Sequence, residues 1–288
     1  MALSPAHRFG QIIGDLLEAA ILPLLLEFAD ENKLYLDRKG QRPCRRGLKC
    51  SWVDKNGNKH DLDFVLERGG TPDIRGSPVA FIETAWRRYT KHSRNKAQEI
   101  QGAIVPLAET FNYLGPFKGA VLSGVFTEGA LEQLRSLGFT VVYFPYSSVI
   151  EAFKQAGIDA RYDEDTPDAA IEKKLNRWDR LRASQKKRVQ AALLDGNRED
   201  LGHFMGSLSA AVVRTIQTII VLPLHGTVSK ASSIDEAVAL LEAYDEALAP
   251  SSFERYEIHI RFNNGNEIVG KFNDKTSAID FLRMHQPA

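Results

Sequence analysis

The stretch that decides the fold is "VAFIETAWRRYTKHSRNKAQEI", residues 79–100. Its first part is a short apolar run, which predicts a central β-strand at 79–83, and it turns polar at Glu83. Apolar residues then recur at helical spacing from about Ser93 to Tyr113, which predicts a helix. The stretch therefore predicts a buried strand that ends in a carboxylate and is followed by cations. Those cations are Arg87, Arg88, Lys91, Arg94 and Lys96.

The elements on either side predict an α/β fold. Residues 3–29 predict a long helix with a kink at Pro23, and the strands "KCSWV" and "HDLDFVL" predict a hairpin closed at Asn56-Gly57. After the helix at 93–113, the segments "GAVLSG", "TEGALEQLRSLG", "TVVYF" and "SSVIEAFKQAG" alternate between strand and helix. The order α-β-β-β-α-β-α-β predicts a mixed sheet flanked by helices.

An acidic, proline-containing segment, "RYDEDTPDAA" at 161–170, predicts a domain boundary. The predicted domains are a core at 1–160 and a smaller C-terminal helical and α+β module at 161–288. A hairpin with its turn at Asn264-Gly265 and a last helix belong to that module.

Composition restricts the class of protein. The 288 residues include 37 Lys and Arg and 37 Asp and Glu, yet the segment from Lys33 to Lys96 holds 16 basic and only 7 acidic residues. Such a segment is either a footprint for a polyanion or a solvated loop face. Cys44 and Cys50 are too few for a disulfide framework, so we expect both to be reduced. Neither a signal peptide nor a membrane span is indicated, so we expect a cytoplasmic protein.

Several carboxylates stand where the core begins. Asp61 and Asp63 share one face of a predicted strand, Glu83 ends the next strand, and Glu18 lies among apolar residues of the first helix. Carboxylates in such places are costly unless a cation compensates their charge. Mg²⁺ is held by a few carboxylates together with water and phosphate oxygens. The acids therefore predict a Mg²⁺ site, and the cations after Glu83 predict phosphate contacts through Arg87, Arg88 and Arg94.

This order of elements, with an acid on each of two successive strands, resembles the PD-(D/E)XK nuclease superfamily, which has the restriction-endonuclease-like fold. The resemblance covers about residues 8–145. It implies that Asp63 and Glu83 hold the metal and that Glu18 corresponds to the glutamate with which many members hold metal or position water. It also implies that metal-activated water attacks a phosphodiester bond.

The sequence departs from the pattern of this superfamily at one position. The lysine of the motif is expected two residues after Glu83, but Ala85 stands there. In some members the lysine comes from the following helix or loop, which makes Lys91 and Lys96 candidates for the catalytic cation. Lys96 is the better candidate because the predicted helix would point it back at the end of the strand.

Asp63 has two rivals as the first metal ligand. Asp61 lies on the same face of the strand, and Pro72-Asp73 is a literal "PD" ten residues before Glu83. Asp63 is preferred to Asp73 because Asp73 lies in a predicted loop.

The resemblance implies a Mg²⁺-dependent deoxyribonuclease that cuts double-stranded DNA, most like a type II restriction endonuclease. Because both strands must be cut, we expect a homodimer with two-fold symmetry. The C-terminal module would serve DNA-site reading or dimerisation. The alternatives are a DNA repair nuclease, and a non-catalytic nucleic-acid-binding or assembly protein that has lost its lysine.

Overall fold

The computed structural model describes residues 4–224, 227–247, 253–263 and 265–286. The chain forms two compact units. The first comprises the chain up to Thr110 together with Phe117–Leu208, and the second comprises Phe111–Pro116 with the chain from Ser209 onward. None of the helices in these described ranges is both long and apolar enough to cross a membrane.

The first unit combines helices with strands from two sheets. Its elements, in chain order, are α1 (Pro5–Glu31), β1 (Leu34–Arg38), β2 (Cys50–Val53), β3 (Lys59–Leu62), β4 (Phe64–Arg68), β5 (Ser77–Arg87), α2 (Ser93–Thr110), β6 (Phe117–Gly124), α3 (Glu128–Ser136), β7 (Thr140–Pro145), α4 (Tyr146–Lys154), α5 (Asp168–Asp179) and α6 (Ala183–Asp195). The helix α7 (Arg198–Val212) begins in this unit, and its residues from Ser209 onward belong to the second.

The main sheet has five strands in the order β1-β4-β5-β6-β7. β4 runs antiparallel to β1 and β5, while β5, β6 and β7 are parallel. The predicted mixed sheet flanked by helices is therefore confirmed, and so is the central position of the strand that carries Glu83. That strand is longer than predicted, because its parallel pairing with β6 continues to Arg87 opposite Gly124.

The predicted strand 60–66 is divided at Asp63, where the chain bends. Its first part, β3, pairs only with β2 in a separate two-stranded sheet, and its second part, β4, enters the main sheet. The predicted hairpin is confirmed, and Gly57 in its turn has a φ of 85°, a conformation that glycine adopts without strain. The division places Asp63 at the junction of the two sheets.

The basic stretch 37–49 is partly structural. Arg42 is almost fully buried, and its guanidinium contacts Glu67 at 2.5 Å and Asp37 at 2.9 Å. It also donates hydrogen bonds to the carbonyl groups of Thr71 and Ile74. Arg42 therefore neutralises two buried carboxylates and fastens two loops to the sheet, so it is not available to a polyanion. The first two residues of the stretch also belong to β1, a strand that the sequence analysis did not predict.

We expect Arg42→Met to lower the free energy of unfolding by about 3–5 kcal/mol, because it leaves Glu67 buried without its cation and leaves Asp37 with Arg45 as its remaining cation. Arg46→Met is the matched control, since Arg46 is exposed in the same loop, and should change stability by less than about 0.5 kcal/mol. Urea unfolding of the two variants measures both values. Equal stabilities would show that the buried network contributes nothing.

Helices α5 and α6 belong to the first unit, so the contacts divide the chain near residue 208 and not at 161–170. α5 contacts α1, and α6 contacts both α1 and α4. The ring of Trp178 lies 5.1 Å from that of Phe153, centroid to centroid. The acidic segment 161–170 is thus a loop within a unit.

The second unit is a small α+β structure. Its strands β8 (Ile216–Pro223), β9 (Ser229–Ala231), β10 (Tyr256–Phe262) and β11 (Glu267–Phe272) form an antiparallel sheet in the order β11-β10-β8-β9. The helices α8 (Ile234–Ala243) and α9 (Lys275–Arg283) pack with the sheet around one apolar core. The predicted hairpin is confirmed as the pair β10–β11. Asn264 of its predicted turn lies outside the described residues.

Candidate active site

The candidate site lies where β5 extends beyond its neighbour β4. Ladder pairing between these strands begins at Phe64 opposite Ile82, so β4 covers the edge of β5 only up to that point. From Glu83 to Arg87, β5 keeps a strand partner on one side, β6. The other edge can accept side chains from elsewhere, because the chain before Asp63 belongs to the separate two-stranded sheet and enters the main sheet only at Phe64.

Asp63 closes part of this open edge. Its Oδ2 accepts hydrogen bonds from the backbone N–H and from the hydroxyl of Thr84, both at 2.8 Å. Its own N–H donates to Oε1 of Glu83 at 3.2 Å. The two acids that the sequence analysis selected are therefore adjacent. Each directly precedes or follows a paired residue, because Phe64 at the start of β4 lies opposite Ile82 of β5.

Glu83 is a buried carboxylate, with 7% of its surface exposed. Burial, together with the negative charges of Asp63 and Glu18, raises the pKa of Glu83 to about 8, although Lys96 and the Asp63 N–H oppose the shift. Among the described residues, no lysine or arginine lies within ion-pair distance of this carboxylate. Glu67 is neutralised directly by Arg42, whereas Glu83 has no ion-pair partner in the part of the chain that the structure describes, which marks it as a candidate functional carboxylate.

Glu18 approaches the same place from α1. Burial and the neighbouring charges of Asp63 and Asp15 raise its pKa above the ordinary value. Glu18 is half-buried. The structure therefore brings Glu18, Asp63 and Glu83 within electrostatic reach of one another.

The two candidate lysines are in different surroundings. Lys96, on the first turns of α2, is 19% exposed, and its charge acts on Glu83. Lys91 is 60% exposed and forms an ion pair with Glu164. Of the two, the structure places Lys96 beside the acids. Ala85 lies on the same face of β5 as Glu83, where the lysine of the motif was expected.

The three arginines that were predicted to contact phosphate also differ in their surroundings. Arg87 lies near the open edge, 32% exposed, with its guanidinium 3.6 Å from Glu99. Arg88 is held by the fold, because its Nε donates to the carbonyl of Tyr162 at 2.5 Å and its guanidinium stacks on the ring of Tyr146 at 4.3 Å. Arg94 is exposed at the start of α2. Arg87 and Arg94 are thus better placed than Arg88 to meet a phosphate.

The two alternatives to Asp63 as a metal ligand, Asp61 and Asp73, do not take part in this group of acids. Asp61 is exposed on β3, where it accepts hydrogen bonds from Ser51 at 2.5 Å and from Lys49 at 2.6 Å. Asp73 is exposed in a loop, and its N–H donates to the hydroxyl of Thr71. Neither carboxylate is among those that raise the pKa of Glu83.

The donor set suits Mg²⁺ in type and in number. Mg²⁺ is commonly held by one or two carboxylates, with water and substrate phosphate completing its shell, and Asp63 and Glu83 meet that requirement. Within the described residues, no three His, Cys, Asp or Glu side chains are arranged so that they alone could enclose a metal ion. Any metal here would therefore depend on water and substrate oxygens, as Mg²⁺ does.

Sequence reasoning missed two features of the site. Thr84 fixes the carboxylate of Asp63, but a threonine in a strand gives no such signal. A cavity beside β5 is walled in part by Gly10 and Gly14 of α1. Their spacing of four residues in a helix was the one available signal, since it places both glycines on one face.

No model of a known protein family, no curated protein and no solved structure matches this chain. Its function is therefore argued from the geometry and chemistry of the site.

The shifted pKa of Glu83 gives the metal-free protein a specific pH dependence. In the unfolded chain this carboxyl loses its proton near the ordinary value of 4.5, whereas in the folded chain it keeps the proton up to about 8. The folded state therefore binds more protons between these values, and its stability falls as the pH rises through them. We expect Glu83→Gln to remove this contribution, so that in EDTA the variant is more stable than wild type at pH 8 by on the order of a few kcal/mol.

Urea unfolding in EDTA between pH 5 and pH 9 measures the effect. Glu109→Gln is the control, because Glu109 is an exposed glutamate that pairs with Lys55. Its pH dependence should follow that of wild type. Parallel curves for Glu83→Gln and wild type would show that Glu83 titrates as an ordinary carboxyl.

Proposed function

We propose that this chain is a Mg²⁺-dependent endonuclease that hydrolyses phosphodiester bonds of double-stranded DNA, with a restriction-endonuclease-like core. One observation carries the proposal. Glu83 is a buried carboxylate with no ion-pair partner among the described residues, and it stands at the open edge of the central strand, with Asp63 beside it and the charge of Lys96 acting on it. Metal-assisted phosphoryl chemistry requires carboxylates that hold a divalent metal ion and, next to them, a positively charged side chain that can contact phosphate.

Each residue has a role in this proposal. Asp63 and Glu83 hold Mg²⁺, and Thr84 orients Asp63 by two hydrogen bonds. Glu18 adds a further carboxylate, suited to hold a water or a water ligand of the metal. Bound Mg²⁺ would polarise the phosphate and lower the pKa of a bound water. Lys96 stabilises the negative charge that builds up on the phosphate during attack, and Arg87 positions the strand.

We propose that its class is that of the type II restriction endonucleases, which act at a specific sequence. We propose that the protein acts as a homodimer. Within its described residues one chain contributes a single active-site cluster of acids, and cutting both DNA strands at one place requires two such clusters. Sedimentation velocity, with and without duplex DNA, tests this assembly. A monomer in both conditions would contradict the dimer and favour a repair-type nuclease that nicks one strand.

Ala85 favours a second candidate, a non-catalytic DNA-binding protein of the same fold. In this alternative, the alanine at the lysine position of the motif reflects the loss of catalytic activity. The distinguishing assay incubates supercoiled plasmids of several sequences with the protein in Mg²⁺, Ca²⁺ or EDTA. We expect linear or nicked products in Mg²⁺ alone, with a fixed fragment pattern if cleavage is sequence-specific. DNA binding without products under any condition would establish the non-catalytic alternative.

A further inference from the structure

The segment 172–188, which covers most of α5 and the first part of α6, concentrates positive charge outside the candidate active site. It holds eight Lys and Arg against two Asp and Glu, in a chain whose total charges balance. One of the two acids, Asp179, pairs with Arg8 of α1 at 2.7 Å. Within the described part of the chain, none of the eight cations lies within ion-pair distance of a carboxylate. Their charge is therefore available to a partner.

Three of these cations form a stripe along α5. The stripe follows intervals of three and four residues, which place side chains on one face of a helix, and consists of Lys173, Asn176, Arg177 and Arg180. All four are exposed, whereas the apolar residues on another face of the helix are buried. Like charges at these intervals repel one another. The stripe therefore does not stabilise the helix, and a bound anion would relieve the repulsion.

The stripe lines a cavity of about 600 Å³. Besides the three cations, the cavity is lined by the amide side chains of Asn176 and Gln185, and no carboxylate of the described residues lines it. Guanidinium, ammonium and amide groups all donate hydrogen bonds to phosphate oxygens. The cavity therefore has the lining of a phosphate-binding site.

The guanidinium of Arg177 is held in place at this cavity. Its Nε donates a hydrogen bond to the carbonyl of Ala156 at 3.2 Å. Gly157, with a φ of 67°, makes room for it, because a Cβ atom there would lie 2.2 Å from a terminal nitrogen of Arg177. Among the described residues, neither terminal nitrogen has a hydrogen-bond acceptor. A phosphate can accept hydrogen bonds from both nitrogens at once.

The surroundings of the stripe favour the backbone of DNA over an anionic membrane. A helix that lies on a membrane carries large apolar side chains next to its cations. Between Asp168 and Asp195 no large apolar side chain is exposed. The stripe is about 10 Å long, and each strand of a duplex carries one phosphate per about 3.4 Å of the axis. The stripe can therefore contact about three phosphates of one strand.

Helix α1 connects the stripe with the acids of the candidate active site. The ion pair between Arg8 and Asp179 joins α1 to the end of α5. Glu18 lies ten residues after Arg8 in the same helix, which is about 15 Å along its axis. Between four and five base pairs of duplex cover about that distance. One duplex is therefore long enough to reach both places.

We propose that the exposed face of α5, with the neighbouring cations of α6, is a second DNA contact, which binds the phosphate backbone of the duplex to one side of the bond that is cut. The inference rests on the proposed function and extends it, since it adds a surface that holds DNA without taking part in the chemistry. The surface binds phosphates and not base edges, so it contributes to affinity alike for all DNA sequences.

The first test compares two variants that each lose two positive charges. Lys173→Gln/Arg180→Gln neutralises the stripe, and Arg135→Gln/Arg283→Gln neutralises two exposed cations that pair with carboxylates elsewhere. Binding of a fluorescent DNA duplex is measured in Ca²⁺ over a series of salt concentrations. We expect the stripe variant to bind at least about tenfold more weakly than wild type, with a slope of log affinity against log salt that is shallower by about 1.8, because two phosphate contacts are lost. The control should keep the wild-type affinity and slope, and equal values in the two variants would overturn the proposal.

The second test separates DNA holding from chemistry, and DNA from other anions. Under single-turnover conditions in Mg²⁺, with enzyme at saturating concentration, the stripe variant should cut at the wild-type rate. A slower rate at saturation would place these cations in the active site and overturn the proposal. Loss of binding to phosphatidylglycerol vesicles in the stripe variant, with unchanged DNA affinity, would overturn the assignment to DNA. A protein that shows the expected loss of DNA affinity but cuts no DNA would refute the proposed nuclease and leave the DNA contact standing.

Discussion

Glu83→Gln and Asp63→Asn are each expected to lower Mg²⁺-dependent DNA cleavage by roughly 10³-fold or more, while the protein stays folded. The metal contributes several kcal/mol of charge stabilisation in the transition state, and about 1.4 kcal/mol corresponds to a factor of ten in rate. Each substitution removes one of the two carboxylates proposed to hold the ion, with little change of side-chain shape. DNA binding in Ca²⁺ should largely survive, because neither change removes a positive charge.

Two matched variants control for this prediction. Asp61→Asn changes an aspartate two residues from Asp63 that pairs with Lys49 at the surface. Glu109→Gln changes an exposed glutamate on α2. Both should cut plasmid at the wild-type rate under single-turnover conditions. If Glu83→Gln or Asp63→Asn cuts as fast as these controls, the substituted residue does not hold the metal.

The second large effect concerns the cation. We expect Lys96→Met to slow cleavage by ~10²-fold or more, the loss that follows removal of one electrostatic contact to a transition-state oxyanion. Lys91→Met is the control, because Lys91 is exposed and paired with Glu164. It should leave the rate unchanged. A Lys91→Met defect as large as that of Lys96→Met would mean that the lysine assignment is wrong.

A rescue experiment tests where the positive charge beside Glu83 must lie. Ala85 lines the same cavity as Lys96 and shares the face of β5 with Glu83. In the Lys96→Met background, Ala85→Lys would place an ammonium where the nuclease motif has it. We expect part of the lost activity to return in the double variant. Such recovery would show that the charge beside Glu83 matters and that its origin on α2 or β5 does not.

The sequence predicts the centre of the fold because its signals there are local. An apolar run of four residues and a helix with regular periodicity identify β5 and α2, and the carboxylate that follows the run identifies Glu83. The end of β5 was misplaced because a polar residue is read as the end of a strand. In the fold, the backbone of Glu83–Arg87 still pairs with β6.

Other features depend on contacts that a local pattern does not contain. Arg42 and Glu67 are 25 positions apart, so their buried pair is invisible until the loop at 37–49 is folded onto the sheet. The bend at Asp63 arises because β3 and β4 join different sheets, which the continuous pattern of "HDLDFVL" hides. α5 carries three acidic and three basic residues among its twelve, yet Leu175 and Trp178 on its inner face are buried.

The candidate site was predictable to a similar degree. The sequence analysis selected Asp63 and Glu83 as a pair of metal ligands, and the structure shows that these two residues lie side by side. Lys96 was preferred to Lys91 because a helix beginning near Ser93 would point Lys96 back at the end of the strand, and Lys91 indeed lies before α2. The cavity could not be predicted, because it results from α1 crossing the end of β5 with glycines at the contact.

The most direct test of the central claim, that Asp63 and Glu83 form a divalent-cation site, is calorimetric titration of Mg²⁺ into wild type, Glu83→Gln, Asp63→Asn and Glu109→Gln. At pH 8 we expect wild type and Glu109→Gln to bind Mg²⁺ alike and the other two variants to bind at least about tenfold more weakly. At pH 6 wild type should also bind more weakly, since Glu83 must lose its proton to accept the ion. Equal affinity in all four proteins, or no Mg²⁺ binding to wild type with or without duplex DNA, would contradict the account.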